Sequence, residues 1–146
     1  MSVKKNRAAA VGLIYKNLIL LARRAETYQG KPCTLGGYWS IFAGSIEKGE
    51  SPMTCAIREL YEESQIKIGT EELNYAQTIQ GEGNLVELHV YFCHLKELIN
   101  PVLDFEHTAY MWYKIDDLNS FTDPIDPKIV SILEEYYKNF ENWHTE

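Results

Sequence analysis

The chain announces two helices in the same way, and that repeated signal constrains its fold more than any other feature. Ser51-Pro52 and Asp126-Pro127 each place a capping oxygen before a proline suited to the first helical turn, where a missing N–H is harmless. After the first signal, Met53, Ala56, Ile57, Leu60, Tyr61 and Ser64 recur at helical spacing and mark a buried face. After the second, Ile129, Ile132, Leu133, Tyr136 and Phe140 do the same along a helix predicted over Lys128 to Asn142. Between and around these helices the pattern is that of strands. Ala8 to Tyr15 and Leu18 to Ala22 form a hairpin about Lys16-Asn17, followed by a polar loop from Arg23 to Gly37 and a short strand from Tyr38 to Phe42. Leu73 to Gln80 and Leu85 to Leu95 read as a second hairpin around Gly81-Glu82-Gly83-Asn84. Its second arm sends Val86, Leu88, Val90 and Phe92 inward, and Glu87, His89 and Tyr91 outward. Thr108 to Ile115 returns as a last strand. Hairpins combined with two helices imply an α+β fold, a mixed sheet flanked by helices. No repeat or linker divides the chain, so residues 1–146 read as a single domain.

Charge narrows the partners. A formal net charge of −7 gives no basic surface for gripping a nucleic-acid duplex. A phosphate-bearing ligand would need positive charge supplied locally, by Arg or Lys or by a divalent metal. Cys33, Cys55 and Cys93 share no metal-ligand spacing and read as free thiols of a reducing compartment. The basic opening from Met1 to Arg7 leads into a strand-like segment without a cleavage-site pattern, so it is not read as a signal peptide. No apolar run approaches the roughly 20 residues of a membrane span. The expectation is a cytoplasmic protein with no membrane partner.

The first helix carries an anomaly. Glu59, Glu62 and Glu63 fall at i, i+3 and i+4, on an arc read as opposite the Met53, Ile57 and Leu60 face. Like charges at this spacing repel by a few tenths of a kcal/mol per pair, and no lysine interrupts them before Lys67. One reading is a solvated acidic stripe. The other is a hard-cation site, because carboxylate oxygens so spaced can converge on Mg²⁺ and leave positions open for water and phosphate. Just before the helix runs Gly44-Ser45-Ile46-Glu47-Lys48-Gly49-Glu50, and Glu50 stands eight residues ahead of Arg58, where the two can pair and fix the loop to the helix.

These residues resemble the signature of the Nudix hydrolases: Gly, five residues, Glu, seven residues, then Arg-Glu-hydrophobic-any-Glu-Glu-any-Gly-hydrophobic. Gly44, Glu50, Arg58, Glu59, Leu60, Glu62, Glu63 and Ile66 fall in register. Trp39-Ser40-Ile41 ahead of the box and Glu106-His107 before an aromatic strand extend the likeness over nearly the whole chain. One position departs. Gln65 stands where the family has glycine, at a helix end that favours a left-handed residue, and should cost up to about 1 kcal/mol.

The resemblance implies an α/β/α sandwich and a Mg²⁺-dependent hydrolase, with Mn²⁺ able to substitute, that cuts a phosphoanhydride bond in a nucleoside diphosphate derivative. It implies Glu59, Glu62 and Glu63 as metal ligands, joined by the backbone carbonyl of Ala43. Glu59 or Glu106 would handle the attacking water, while Gly44, Glu50 and Arg58 would be structural. Arg23 and Arg24 are candidates for substrate phosphate, and Trp39, Tyr28, Tyr110, Trp112 and Phe121 for stacking on a base, with solvation and core packing as the alternatives. The four histidines share no ligand spacing and read as surface or packing residues, although His107 adjoins Glu106. A small chain without an accessory domain points first to a (d)NTP pyrophosphohydrolase acting as a monomer or homodimer. ADP-ribose, dinucleoside polyphosphate and nucleotide-sugar hydrolysis, or nucleotide binding without turnover, are the other readings.

Overall fold

The computed structural model describes residues 6–33, 35–81 and 85–144. The turn at Glu82–Asn84, the facing of Val86 and the side chain of His144 lie outside what is described. The strands are β1 (Asn6–Tyr15), β2 (Leu18–Arg24), β3 (Thr27–Tyr28), β4 (Lys31–Pro32), β5 (Trp39–Ser40), β6 (Phe42–Ser45), β7 (Asn74–Gln80), β8 (Leu85–His94) and β9 (His107–Lys114). The helices are α1 (Pro52–Ser64) and α2 (Pro127–His144).

β1 is the hub of the sheet. It pairs with β8 in parallel from Asn6 to Ile14, with β6 antiparallel from Ala8 to Val11, and with β2 antiparallel at its far end. β7 lies antiparallel to β8, while β9 and β5 lie antiparallel to β2. The sheet is therefore mixed, and helices cover both faces, in agreement with the α+β pattern. The region expected as one polar loop contains the small β3–β4 hairpin, and the strand expected over Tyr38 to Phe42 is divided between β5 and β6.

Alternation along β1 and β2 sorts the core into two layers. Ala9, Val11, Leu13, Leu20 and Ala22 face α1 with Phe42, Cys55, Ala56 and Leu60. Ala10, Ile14, Ile19 and Leu21 face α2 with Trp39, Phe92, Ile129, Ile132, Leu133 and Tyr137. β8 obeys the same rule, and this corrects one expectation. Tyr91 is buried against the α1 layer, because β8 is an interior strand with both faces covered instead of a hairpin arm with one wet side.

The α1 face is also displaced from its expected position. Cys55, Ala56, Leu60, Glu63 and Ser64 are buried, whereas Tyr61 is exposed. Glu63 lies only about 60° around the helix from Leu60. The glutamates thus do not stand opposite the apolar face: they descend into it, the side chain of Glu62 being 54% exposed, Glu59 15% and Glu63 1%.

Candidate active site

Helix α1 is fixed at both ends. The Ser51 hydroxyl accepts the Thr54 N–H at 3.1 Å, and Pro52 opens the first turn. At the other end Gln65 is left-handed (φ 60°, ψ 18°), and its N–H bonds to the Tyr61 carbonyl at 2.8 Å. The carbonyls that a helix leaves unpaired at its end find partners in the loop before β9. Val102 N–H reaches Ser64 O at 2.9 Å, and Asp104 N–H reaches Glu63 O at 3.2 Å. This loop brings Asp104, Glu106 and His107 to the glutamates.

Arg58 ties the preceding loop to the helix. Its Nε donates to Glu50 Oε2 at 2.7 Å and its Nη2 to Glu50 Oε1 at 3.0 Å, the forked pairing expected from their spacing. Nη2 also reaches Ser45 O at 3.1 Å, while Nη1 donates to Glu59 Oε1 at 2.8 Å and Glu62 Oε2 at 3.2 Å. The guanidinium holds the Glu50 carboxyl down at about 2, and the carboxylates raise Arg58 above its usual value. Gly44 is required here by contact: a Cβ on it would fall within the Glu59 carboxyl group.

Glu63 is the most constrained of the carboxylates. Its Oε1 accepts the Ala43 N–H at 3.3 Å, but its Oε2 is buried without a hydrogen-bond partner. Burial first, then the charges of Glu59 and Glu106, push its carboxyl up to about 9. Burial also raises Glu59, with Arg58 pulling it down and Glu62 and Glu106 pushing it further up. Glu106, partly buried, therefore stands in the same electrostatic field as Glu59 and Glu63.

His107, read as a surface or packing residue that adjoins Glu106, is a buried packing residue beside this group. Its side chain is 1% exposed and lies edge-on to Phe42 at 5.2 Å. Nδ1 is 2.9 Å from Asp104 Oδ1, and Nε2, with no hydrogen-bond partner, is 4.0 Å from Glu63 Oε1. The signal available in the sequence was an aspartate three residues before a histidine that adjoins Glu106.

A hard divalent cation suits these residues. A buried carboxylate oxygen lacks a partner, and carboxylates crowd one another until burial and repulsion oppose ionisation; a cation relieves both. Glu59, Glu62, Glu63 and the Ala43 carbonyl are the groups that could hold it, with the charge of Glu106 acting on Glu59 and Glu63. As they stand, no three carboxylate or imidazole groups among the described residues meet at one point. Glu59 and Glu62 each give one carboxylate oxygen to Arg58 Nη1, at 2.8 and 3.2 Å.

The substrate candidates separate. Arg23 bonds Thr108 Oγ1 and Glu26 Oε1, each at 3.1 Å, and lines a cleft of about 260 Å³ with Gly36, Gly37 and Tyr38. Arg24 lies across from His107 in the β2–β9 register. Trp39 is corrected: it is 5% exposed and packs edge-on against Phe121 in the α2 layer, so it offers no open face to a base. Trp112 donates its indole N–H to Ile99 O at 3.2 Å and packs against the α1 layer. Phe121 is occupied by Trp39 and Tyr113. Tyr110 and Tyr28 remain exposed, Tyr28 in a stack with Phe105. A cavity of about 710 Å³ lies between β7 and α2, away from the glutamates.

Residues 5–136 match the family model described as the NUDIX domain. The MutT NUDIX hydrolase of Burkholderia pseudomallei superposes with a TM-score of 0.72 at 20% identity, over 89% of this chain and 96% of that one. An Ap4A hydrolase of C. elegans superposes with a TM-score of 0.68 at 20% identity, over 92% and 98%. A protein of Myxococcus xanthus named octanoyltransferase is 31% identical over 102 residues, 67% of this chain. The chain spans about a quarter of that relative's length (26%). The chain belongs to the Nudix family. No described helix is long and apolar enough to cross a membrane.

Proposed function

We propose that this chain hydrolyses a phosphoanhydride bond in a nucleoside diphosphate derivative with Mg²⁺, and that its substrate is a (d)NTP. The observation carrying this reading is the unpartnered, buried Oε2 of Glu63, set in the field of Glu59 and Glu106 within a chain of net charge −7. A bound Mg²⁺ supplies charge neutralisation on the phosphate oxygens and acidifies water. The chain's own contribution is positional. Gly44 leaves room for the Glu59 carboxyl, and Arg58 with Glu50 fixes the loop that carries it. Burial, opposed by Arg58 and aided by Glu62 and Glu106, raises the Glu59 carboxyl from its usual value, the direction that favours accepting a proton from the attacking water. Glu106 is the second candidate for that task. Arg23 and Arg24, at the end of β2, are the candidates to meet substrate phosphate.

The test is release of phosphate or pyrophosphate from a panel of (d)NTPs, ADP-ribose, dinucleoside polyphosphates and nucleotide sugars. Turnover should peak on a (d)NTP, vanish with a chelator and return with Mg²⁺ or Mn²⁺. Chelator-resistant turnover would defeat the metal reading, and a peak on another member of the panel would reassign the substrate.

A further inference from the structure

Phe105 combines a fixed backbone with an open ring. The residue before it, Asp104, is hydrogen-bonded to the Glu63 carbonyl at 3.2 Å, and the carbonyl of the next, Glu106, accepts the Ala25 N–H at 2.8 Å. The residue is nevertheless 60% exposed, an unfavourable setting for a large apolar side chain. One side is backed by Tyr28 of β3, centroids 4.3 Å apart and planes 21° apart. At that separation nothing fits between the rings. The Tyr28 hydroxyl already accepts from Gln29 Nε2 at 3.2 Å, which leaves the stack an apolar platform.

We infer that Phe105, backed by Tyr28, is the stacking platform for the aromatic base of the substrate. The inference rests on the (d)NTP reading and deepens it by naming the residues that meet the base. Position is the argument. Phe105 lies between Asp104, whose N–H bonds the Glu63 carbonyl at 3.2 Å, and Glu106, so its exposed side chain sits on the loop bonded to the glutamate-bearing helix, on the side open to the remainder of a ligand whose phosphates lie at the glutamates. The loop's bonds to α1 hold that ring in register with the glutamates, and a base stacked on it completes a run of three planar groups. Phe105 is thereby a specificity-determining residue, and Tyr28 a positioning residue that acts through it.

The experiment compares dATP or dGTP with inorganic tripolyphosphate, a base-free anhydride, in the full chain with Mg²⁺. Phe105→Ala should lower the ratio of nucleotide to tripolyphosphate kcat/KM by about ten- to a hundredfold, through the nucleotide KM. Phe105→Trp should restore the ratio to within about threefold, and Tyr28→Ala should give a smaller loss in the same direction. Equal changes for the two substrates, or none, would overturn the platform while leaving phosphoanhydride hydrolysis intact. Equilibrium binding of a methylene-bridged dATP analogue separates the two claims. Binding without cleavage of dATP would defeat the hydrolytic reading, with the platform judged on the analogue's Kd, which should rise in Phe105→Ala. No binding by the parent protein would overturn the platform and the (d)NTP assignment together, leaving phosphoanhydride hydrolysis to the substrate panel.

Discussion

Helix α2 meets the sheet with Ile129, Ile132, Leu133 and Tyr137, whereas α1 meets it with Ala56, Leu60, Ser64 and a buried carboxylate, Glu63. Both helices begin with a capping side chain and a proline, and both bury one side against β1 and β2. Among the described residues of the two helices, only α1 buries a carboxylate. Burying a carboxylate with one oxygen unpaired opposes folding, and nothing in packing calls for it. The α2 layer is apolar packing and the α1 layer carries the proposed metal site, so variants should divide into two classes by what they damage.

The sharpest break in that contrast comes from Glu63→Gln. Turnover should fall about a thousandfold or more, since a ligand counts for more than the groups that orient it. Thermal melting in metal-free buffer at pH 8 should be no lower than in the parent. Glu63 has its carboxyl raised to about 9, so its charged form opposes folding increasingly as pH rises past 4.5, and glutamine carries no such charge. A variant that melted much earlier would make Glu63 a structural residue and erase the contrast. Leu133→Ala should behave in the opposite way, losing about 2–5 kcal/mol in denaturant unfolding while kcat/KM well below the melting temperature changes little.

Glu50→Gln probes the boundary between the classes, because its ion pair with Arg58 braces the loop without entering the core. It should cost about 1.5–3 kcal/mol at pH 7. Glu50 is held at about 2, below its ordinary 4.5, so its contribution is complete above 4.5 and is lost as pH falls toward 2. Unfolding curves of parent and variant should therefore converge in acid; a gap independent of pH would remove the ion pair as the cause. The smallest effect is expected for Gln65→Gly, a gain of up to about 1 kcal/mol from relief of a left-handed non-glycine residue, read as a slightly higher Tm.

What could be read from the sequence was local. Ser51-Pro52, the left-handed end at position 65 and the Glu50–Arg58 pairing depend on residues within a turn or two, and each appears as expected. What could not be read depends on pairing between distant segments. The parallel β1–β8 ladder buries Tyr91 on a face that alternation assigned to water. The β2–β9 register and the loop before it carry His107 to within 4.0 Å of Glu63, 44 positions earlier in the chain. Trp39 shows the converse error. Its aromatic character suggested a ligand, but Phe121, far along the chain, had already claimed its surface.

The two backbone bonds from Val102 and Asp104 to the last carbonyls of α1 have a consequence for how the molecule opens. The helix end and the loop bearing Phe105, Glu106 and His107 cannot fray independently, since releasing one strips the other of hydrogen-bond partners. They form one cooperative unit, in which the amides of Val102 and Asp104 should exchange with solvent in step with the end of the helix. Whatever a ligand does to steady the glutamates should be felt as slowed exchange at those two amides.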